Sequence, residues 1–202
     1  MNPLTTVKWP LILGFIAAIV IAIGVDGGFH FDLMNMAALT RWLHIIAGVF
    51  WIGLLYYFNA VQTPAMAAAA ADKGGPGGAG VNKYVAPLAL KWFRWAAVAT
   101  WLTGAWYLSY AHQFVNALTL GHGFQDRYGL VIGLGMWLGT IMLFNVWVLI
   151  WPNQQKILGL TAASDAEKAQ ARKTALLASR INFALSIPLV LCMGSATHGL
   201  PL

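Results

Sequence analysis

Apolar residues fall in five long blocks separated by short polar stretches. The blocks cover about residues 9–25, 38–61, 92–111, 128–151 and 181–198. Each approaches or exceeds the roughly 20 residues an α-helix needs to cross the hydrocarbon core of a bilayer. The pattern predicts an all-α fold, an integral membrane bundle of five transmembrane helices. Ser164 followed by Glu167 is a capping-box pattern, so a cytoplasmic helical extension is expected over about 165–180, leading into the fifth span. Pro188 is expected to kink that span, which membrane bundles tolerate where freed backbone groups find partners. Between the second and third spans an alanine stretch precedes Lys73-Gly-Gly-Pro-Gly-Gly-Ala-Gly80. Residues 67–81 read as a flexible loop without the lysine and serine or threonine of a phosphate loop. The first block follows Lys8 like a signal peptide, but no small-residue cleavage pattern precedes Asp26, and a retained helix is expected.

The polar stretches alternate in charge. Lys8, then Lys73, Lys83, Lys91 and Arg94, then Lys156, Lys168, Arg172, Lys173 and Arg180 mark one side. The other side holds only Arg41 and Arg127, beside Asp26, Asp32 and Asp126. The excess of lysine and arginine on cytoplasmic connections puts the N-terminus inside and the C-terminus outside.

Composition agrees. The chain is 59% hydrophobic and 9% charged, against roughly 25% charged in a soluble domain. No polar stretch is long enough to fold separately, so 1–202 is one membrane domain embedded in a lipid bilayer. The net charge of +6 follows from this topology and implies no nucleic acid. Cys192 is the sole cysteine, which excludes a disulfide framework and reads as packing. Gly129, Gly133, Gly135 and Gly139 on the fourth helix allow close helix contact, and Asn59, Asn145 and Asn182 suit interhelical hydrogen bonds.

The charge pattern places all five histidines, His30, His44, His112, His122 and His198, at the outer side. Histidine is a usual axial ligand of haem iron and the commonest side-chain metal ligand. His44 lies about one turn inside the second helix, where an ionisable residue is by default a functional hypothesis. Gly48 lies one turn deeper on the same face, leaving room for a flat macrocycle. His198 with Gly194 repeats this spacing at the end of the fifth helix. The expected metal ligands of a b-type haem (haem b) are therefore His44 and His198, with His112 in reserve. Trp42, Trp51 and Gly48 are expected to wall the pocket, and Arg41 to neutralise a propionate at its outer rim. A single histidine near the interface also suits a headgroup, water or carbonyl partner. His30 with Met34 and Met36 offers soft donors for copper. His122, between Gly121 and Gly123, reads as a solvent-exposed loop residue. No Cys-x-x-Cys-His, intramembrane carboxylate, Ser-His-Asp ordering, zinc-protease motif or dinucleotide fingerprint is present, and no residue is assigned as catalytic.

Three motifs resemble a known family. They are the run from Arg41-Trp42-Leu43-His44 through Tyr56-Tyr57-Phe58-Asn59; Phe144-Asn145-Val146-Trp147 through Trp151-Pro152-Asn153-Gln154-Gln155-Lys156; and Ala178-Ser179-Arg180-Ile181-Asn182 with Ser186-Ile187-Pro188. In this order, over about residues 38–198, they resemble the membrane domain at the N-terminus of bacterial urate hydroxylases, the urate oxidase N-terminal family. The Arg-Trp-Leu-His start is also similar to that of copper-resistance-type membrane proteins and haem-pathway membrane oxidases, in some of which a haem association is suspected. The urate hydroxylase resemblance implies the bacterial inner membrane, oxidoreductase or electron-transfer chemistry near the periplasmic face, and urate as substrate. It also implies a periplasmic cytochrome c domain after the membrane domain. The sequence ends at Leu202, so a stand-alone form is expected, working with a separate cytochrome c or other membrane electron-transfer subunits. A non-catalytic accessory subunit of a larger electron-transfer complex and copper handling at the outer face stand as alternatives.

Overall fold

The structure is a computed structural model that describes residues 6–26, 28 and 33–201. All regular structure among these residues is helical, and the chain is an all-α bundle. In chain order the elements are α1 (Lys8–Asp26), α2 (Leu33–Tyr56), α3 (Thr63–Ala71), α4 (Ala86–Tyr110), α5 (Phe114–Leu118), α6 (Leu120–Phe124), α7 (Arg127–Phe144), α8 (Trp151–Ile157) and α9 (Asp165–Ser195). Four stretches are long and apolar enough to cross a membrane: Lys8–Val25, Asn35–Ala71, Arg127–Ile157 and Asp165–Ser195. The α4 helix has 25 residues, about 37 Å at the α-helical rise. Its tryptophans, tyrosines and threonines make it less apolar than those four.

Three stretches of π-helix, Tyr57–Gln62, Val81–Val85 and Asn145–Ile150, have one cause. Pro64, Pro87 and Pro152 each follow within two residues. Proline has no N–H to donate, and its ring crowds the carbonyl four residues back. The turn ahead of each widens, so that Thr63, Ala86 and Trp151 donate to Phe58, Val81 and Val146, five residues back. Because the helix widens instead of ending, α2 continues into α3 and α7 into α8. The alanine stretch expected to be loop is therefore helical to Ala71, and only the glycine-rich segment after it is irregular. The fourth helix likewise reaches Ile157 and not 151.

The widened turns hold buried amides. Asn145 Nδ2 donates to Asn182 Oδ1 at 2.8 Å, and Asn182 Nδ2 to the Met142 carbonyl at 2.9 Å. Asn59 Nδ2 donates to the Leu55 carbonyl and to Ser179 Oγ, both at 2.9 Å. These bonds tie α2, α7 and α9 together away from the histidines, as the sequence leads one to expect of asparagines used as interhelical glue.

Two apolar clusters make the core. Trp51, Leu55, Phe93, Met142, Val146 and Leu189 belong to the larger. The smaller, at the histidine end, gathers Leu108, Ala117 and Ile132 with Tyr107, Tyr128, Met136 and Met193 around them. The α7 glycines act as contact points. A Cβ on Gly133 would run into the Ala117 carbonyl, and one on Gly135 would lie 2.8 Å from Met193 Cε. Outside this packed set, α1 stands at the edge. None of its apolar window is buried, and it meets α2 through Phe15, edge-on to Trp42 with ring centroids 5.3 Å apart.

The capping box is present: Ser164 Oγ accepts from the Glu167 N–H, and the Glu167 carboxylate from the Ser164 N–H. One continuous helix then runs through Pro188 to Ser195. The fifth span therefore ends three residues before His198.

Candidate functional site

His44 is fixed by the helix it packs against. Its Nδ1 lies 2.7 Å from the backbone carbonyl of Thr100 on α4. A carbonyl only accepts, so Nδ1 carries the proton and donates. That tautomer leaves Nε2 with a lone pair, and Nε2 has no hydrogen-bond partner among the described residues. The ring reaches this carbonyl because residue 104 is glycine. A Cβ there would stand 2.8 Å from Nδ1 and 2.9 Å from Cε1. Gly104 is thus the seat of His44.

Beside His44 lies a cavity of about 580 Å³, within the usual range for small-molecule and cofactor sites. It separates the two core clusters. Trp51 and Leu189 of the larger line one end, and Leu108, Ile132, Met136 and Met193 of the smaller line the other. Its walls are mostly apolar and include Gly48, Gly135, Gly139 and Gly194. Polar groups are few. Tyr107, Tyr128 and Arg41 line it. Trp51 is fully buried, and its Nε1–H has no partner among the described residues. A buried donor left unpaired calls for an acceptor or ordered water.

The site expectations divide. Arg41, His44, Gly48, Trp51 and Gly194 all line the cavity, but His198 and His112 do not. Both lie past their helix ends and are exposed, and His112 has φ 55°. The helices stop at Ser195 and Tyr110, so neither residue is carried along a helix face toward His44. Trp42 packs on Phe15, outside the cavity. His122 is exposed in α6, whose five residues all have positive φ, a left-handed turn in which Gly121 and Gly123 are at ease. His30 and the side chain of Met34 lie outside the described residues, and so does the copper expectation built on them. Among the described residues, no three of His, Cys, Asp and Glu gather as a metal site.

Sequence reasoning missed Gly104, Thr100, the tyrosine pair and the two methionines. A contact between helices leaves no local pattern, so nothing in the chain flags Gly104. The methionines were readable only as apolar filler.

The residues present fit a haem on three counts. His44 offers an oriented imidazole with a free Nε2, and a carbonyl on the other ring nitrogen is the usual partner of a metal-bound histidine. Glycines in the walls allow a flat ring to approach the backbone. Arg41 is exposed and lines the cavity, where a guanidinium can pair with a carboxylate.

A family model described as urate oxidase N-terminal matches residues 30–120 and 106–201. No curated protein and no solved structure matches the chain. Matched over most of its length, and built of apolar helices of spanning length, the chain belongs to the urate oxidase N-terminal family.

Proposed function

We propose that this chain is a urate hydroxylase-type membrane domain that binds b-type haem on His44 and passes electrons between a partner and a cytochrome. On this reading the site lies on the periplasmic side of a bacterial inner membrane, the side with fewer lysines and arginines. The observation that carries the reading is the hydrogen bond from His44 Nδ1 to the Thr100 carbonyl, beside a cavity that can hold a cofactor.

Each residue has a defined task. The Thr100 carbonyl holds the His44 tautomer and raises the basicity of Nε2. Arg41 neutralises a propionate at the rim. The apolar walls keep water from the cavity, and Gly48 and Gly194 leave its sides open to a flat ring. Haem, when bound, supplies one-electron chemistry. Urate as the substrate follows from the family, and this reading assigns no residue to a purine.

A reduced-minus-oxidised spectrum with haem extraction on the purified protein tests the proposal. Haem in the wild type that is lost in His44→Ala is the expected result, and protein that takes up no haem sinks it. The alternative, an accessory subunit of a larger electron-transfer complex, draws on the unburied apolar length of α1. Stable co-purification with other membrane subunits, without haem, would favour it.

A further inference from the structure

His198 leaves the second axial position of the proposed haem open, and the cavity walls contain a different donor. We propose that the Met193 thioether is the ligand opposite His44. This rests on the haem reading above.

Gly104 on α4, the seat of His44, and Gly135 on α7 both line the cavity. Gly135 is where Met193 rests: a Cβ there would lie 2.8 Å from Met193 Cε and 3.6 Å from Sδ. The missing side chain at 135 lets the thioether lie between α7 and α9 beside the cavity. Met193 lines the same cavity as His44 but on a different helix pair, α7–α9 facing α2–α4. His198 is five residues further on, beyond the helix end and exposed.

Competing donors are fewer than the histidine count suggests. Tyr107 and Tyr128 also line the cavity, but as phenols they would have to lose a proton to bind iron. Cys192 is buried but does not line the cavity. Met136 lines it too, from α7 itself. Met193 is preferred because a glycine on the facing helix makes room for it. A thioether is a soft, neutral donor, and histidine–methionine ligation raises the reduction potential of haem iron. Such a site would suit electron transfer better than oxygen binding, since both axial positions are filled.

The test is spectroscopic. The purified full-length protein is loaded with haemin and compared with Met193→Leu, Met193→His and Met136→Leu. The wild type should be six-coordinate, show the far-red sulfur-to-iron charge-transfer band when oxidised, and leave carbon monoxide unbound when reduced. Met193→Leu should lose the band, bind carbon monoxide and have a lower potential. Met193→His should stay six-coordinate without the band, and Met136→Leu should resemble wild type. Wild-type haem whose spectrum Met193→Leu leaves unchanged overturns the assignment while haem on His44 stands. Loss of the band in Met136→Leu alone also overturns it. A wild type that takes up no haem removes both the haem reading and this one.

Discussion

The imidazole of His44 occupies the space that a side chain at Gly104 would fill, with Nδ1 2.8 Å from where that Cβ would stand. The ring of one residue can lie where it does only because another, on the neighbouring helix, has no side chain. The hydrogen bond to Thr100 depends on the same fit.

Gly104→Ala should displace the ring and break that bond. Loss of the partner on the other ring nitrogen should cost on the order of tenfold or more in metal affinity at Nε2. Nitrogen NMR of labelled histidine in detergent reads the outcome without any ligand. His44 should be a pure Nδ1–H tautomer in the wild type and a mixture in the variant. An unchanged spectrum would remove Gly104 from the site.

Gly194→Leu should fill the cavity without unfolding the bundle. Gly194 lines the cavity, and a Cβ there meets nothing within 4 Å. Thermal stability should hold within about 0.5 kcal/mol, while haem binding falls on the order of tenfold or more. Haem titration and a melting curve on the same sample decide it. Normal haem affinity in a folded variant would place the ligand elsewhere.

The asparagine pair between α7 and α9 should behave as one unit. Asn145→Ala, Asn182→Ala and the double variant, unfolded in bicelles, should show a coupling of roughly 0.6 kcal/mol and at most about 1.7 kcal/mol, the average and the upper end for hydrogen bonds between membrane helices. Strict additivity would mean that the 2.8 Å contact adds no stability.

Acid should loosen the histidine end first. Asp126 caps α7, accepting from the Asn116 amide at 2.6 Å and from the Gly129 N–H at 2.8 Å. The Asn116 bond, then the Gly129 bond, hold its carboxyl below the usual range. A depressed folded value means the stabilisation is complete above the unfolded Asp value of about 3.9 and is lost as pH falls through the lower folded value. Asp126→Asn should melt lower near neutral pH and lack that acid-induced drop. Parallel melting curves for both proteins from neutral pH down into the acid would contradict the assignment.

Much of the fold was legible. The five apolar blocks became α1, α2, α4, α7 and α9, and Ser164 with Glu167 capped α9 as its spacing implies. The helix ends were less so. The chain passes Pro64, Pro87 and Pro152 by widening to π-helix, so α2 and α7 run on beyond the expected ends. Proline removes one hydrogen bond, and neighbouring helices make up the loss by packing. The site was half legible. His44, Gly48, Arg41, Trp51 and Gly194 line one cavity, whereas His198 and His112 do not. His198 shares the four-residue spacing but lies past the last turn, where helical periodicity no longer directs a side chain.

The sequence by itself determined that this is an all-α membrane bundle, and helix direction then gathers the described histidines at one end. Both follow from local properties, the length of apolar runs against bilayer thickness and the alternation of antiparallel helices. Only the tertiary structure decided which histidine is held and oriented. The bond that does so joins residues 56 positions apart. Its partner is a backbone carbonyl, which every residue possesses, and its seat is a glycine whose contribution is an absence. Neither leaves a mark in a one-dimensional pattern, because close packing between helices depends on which faces meet.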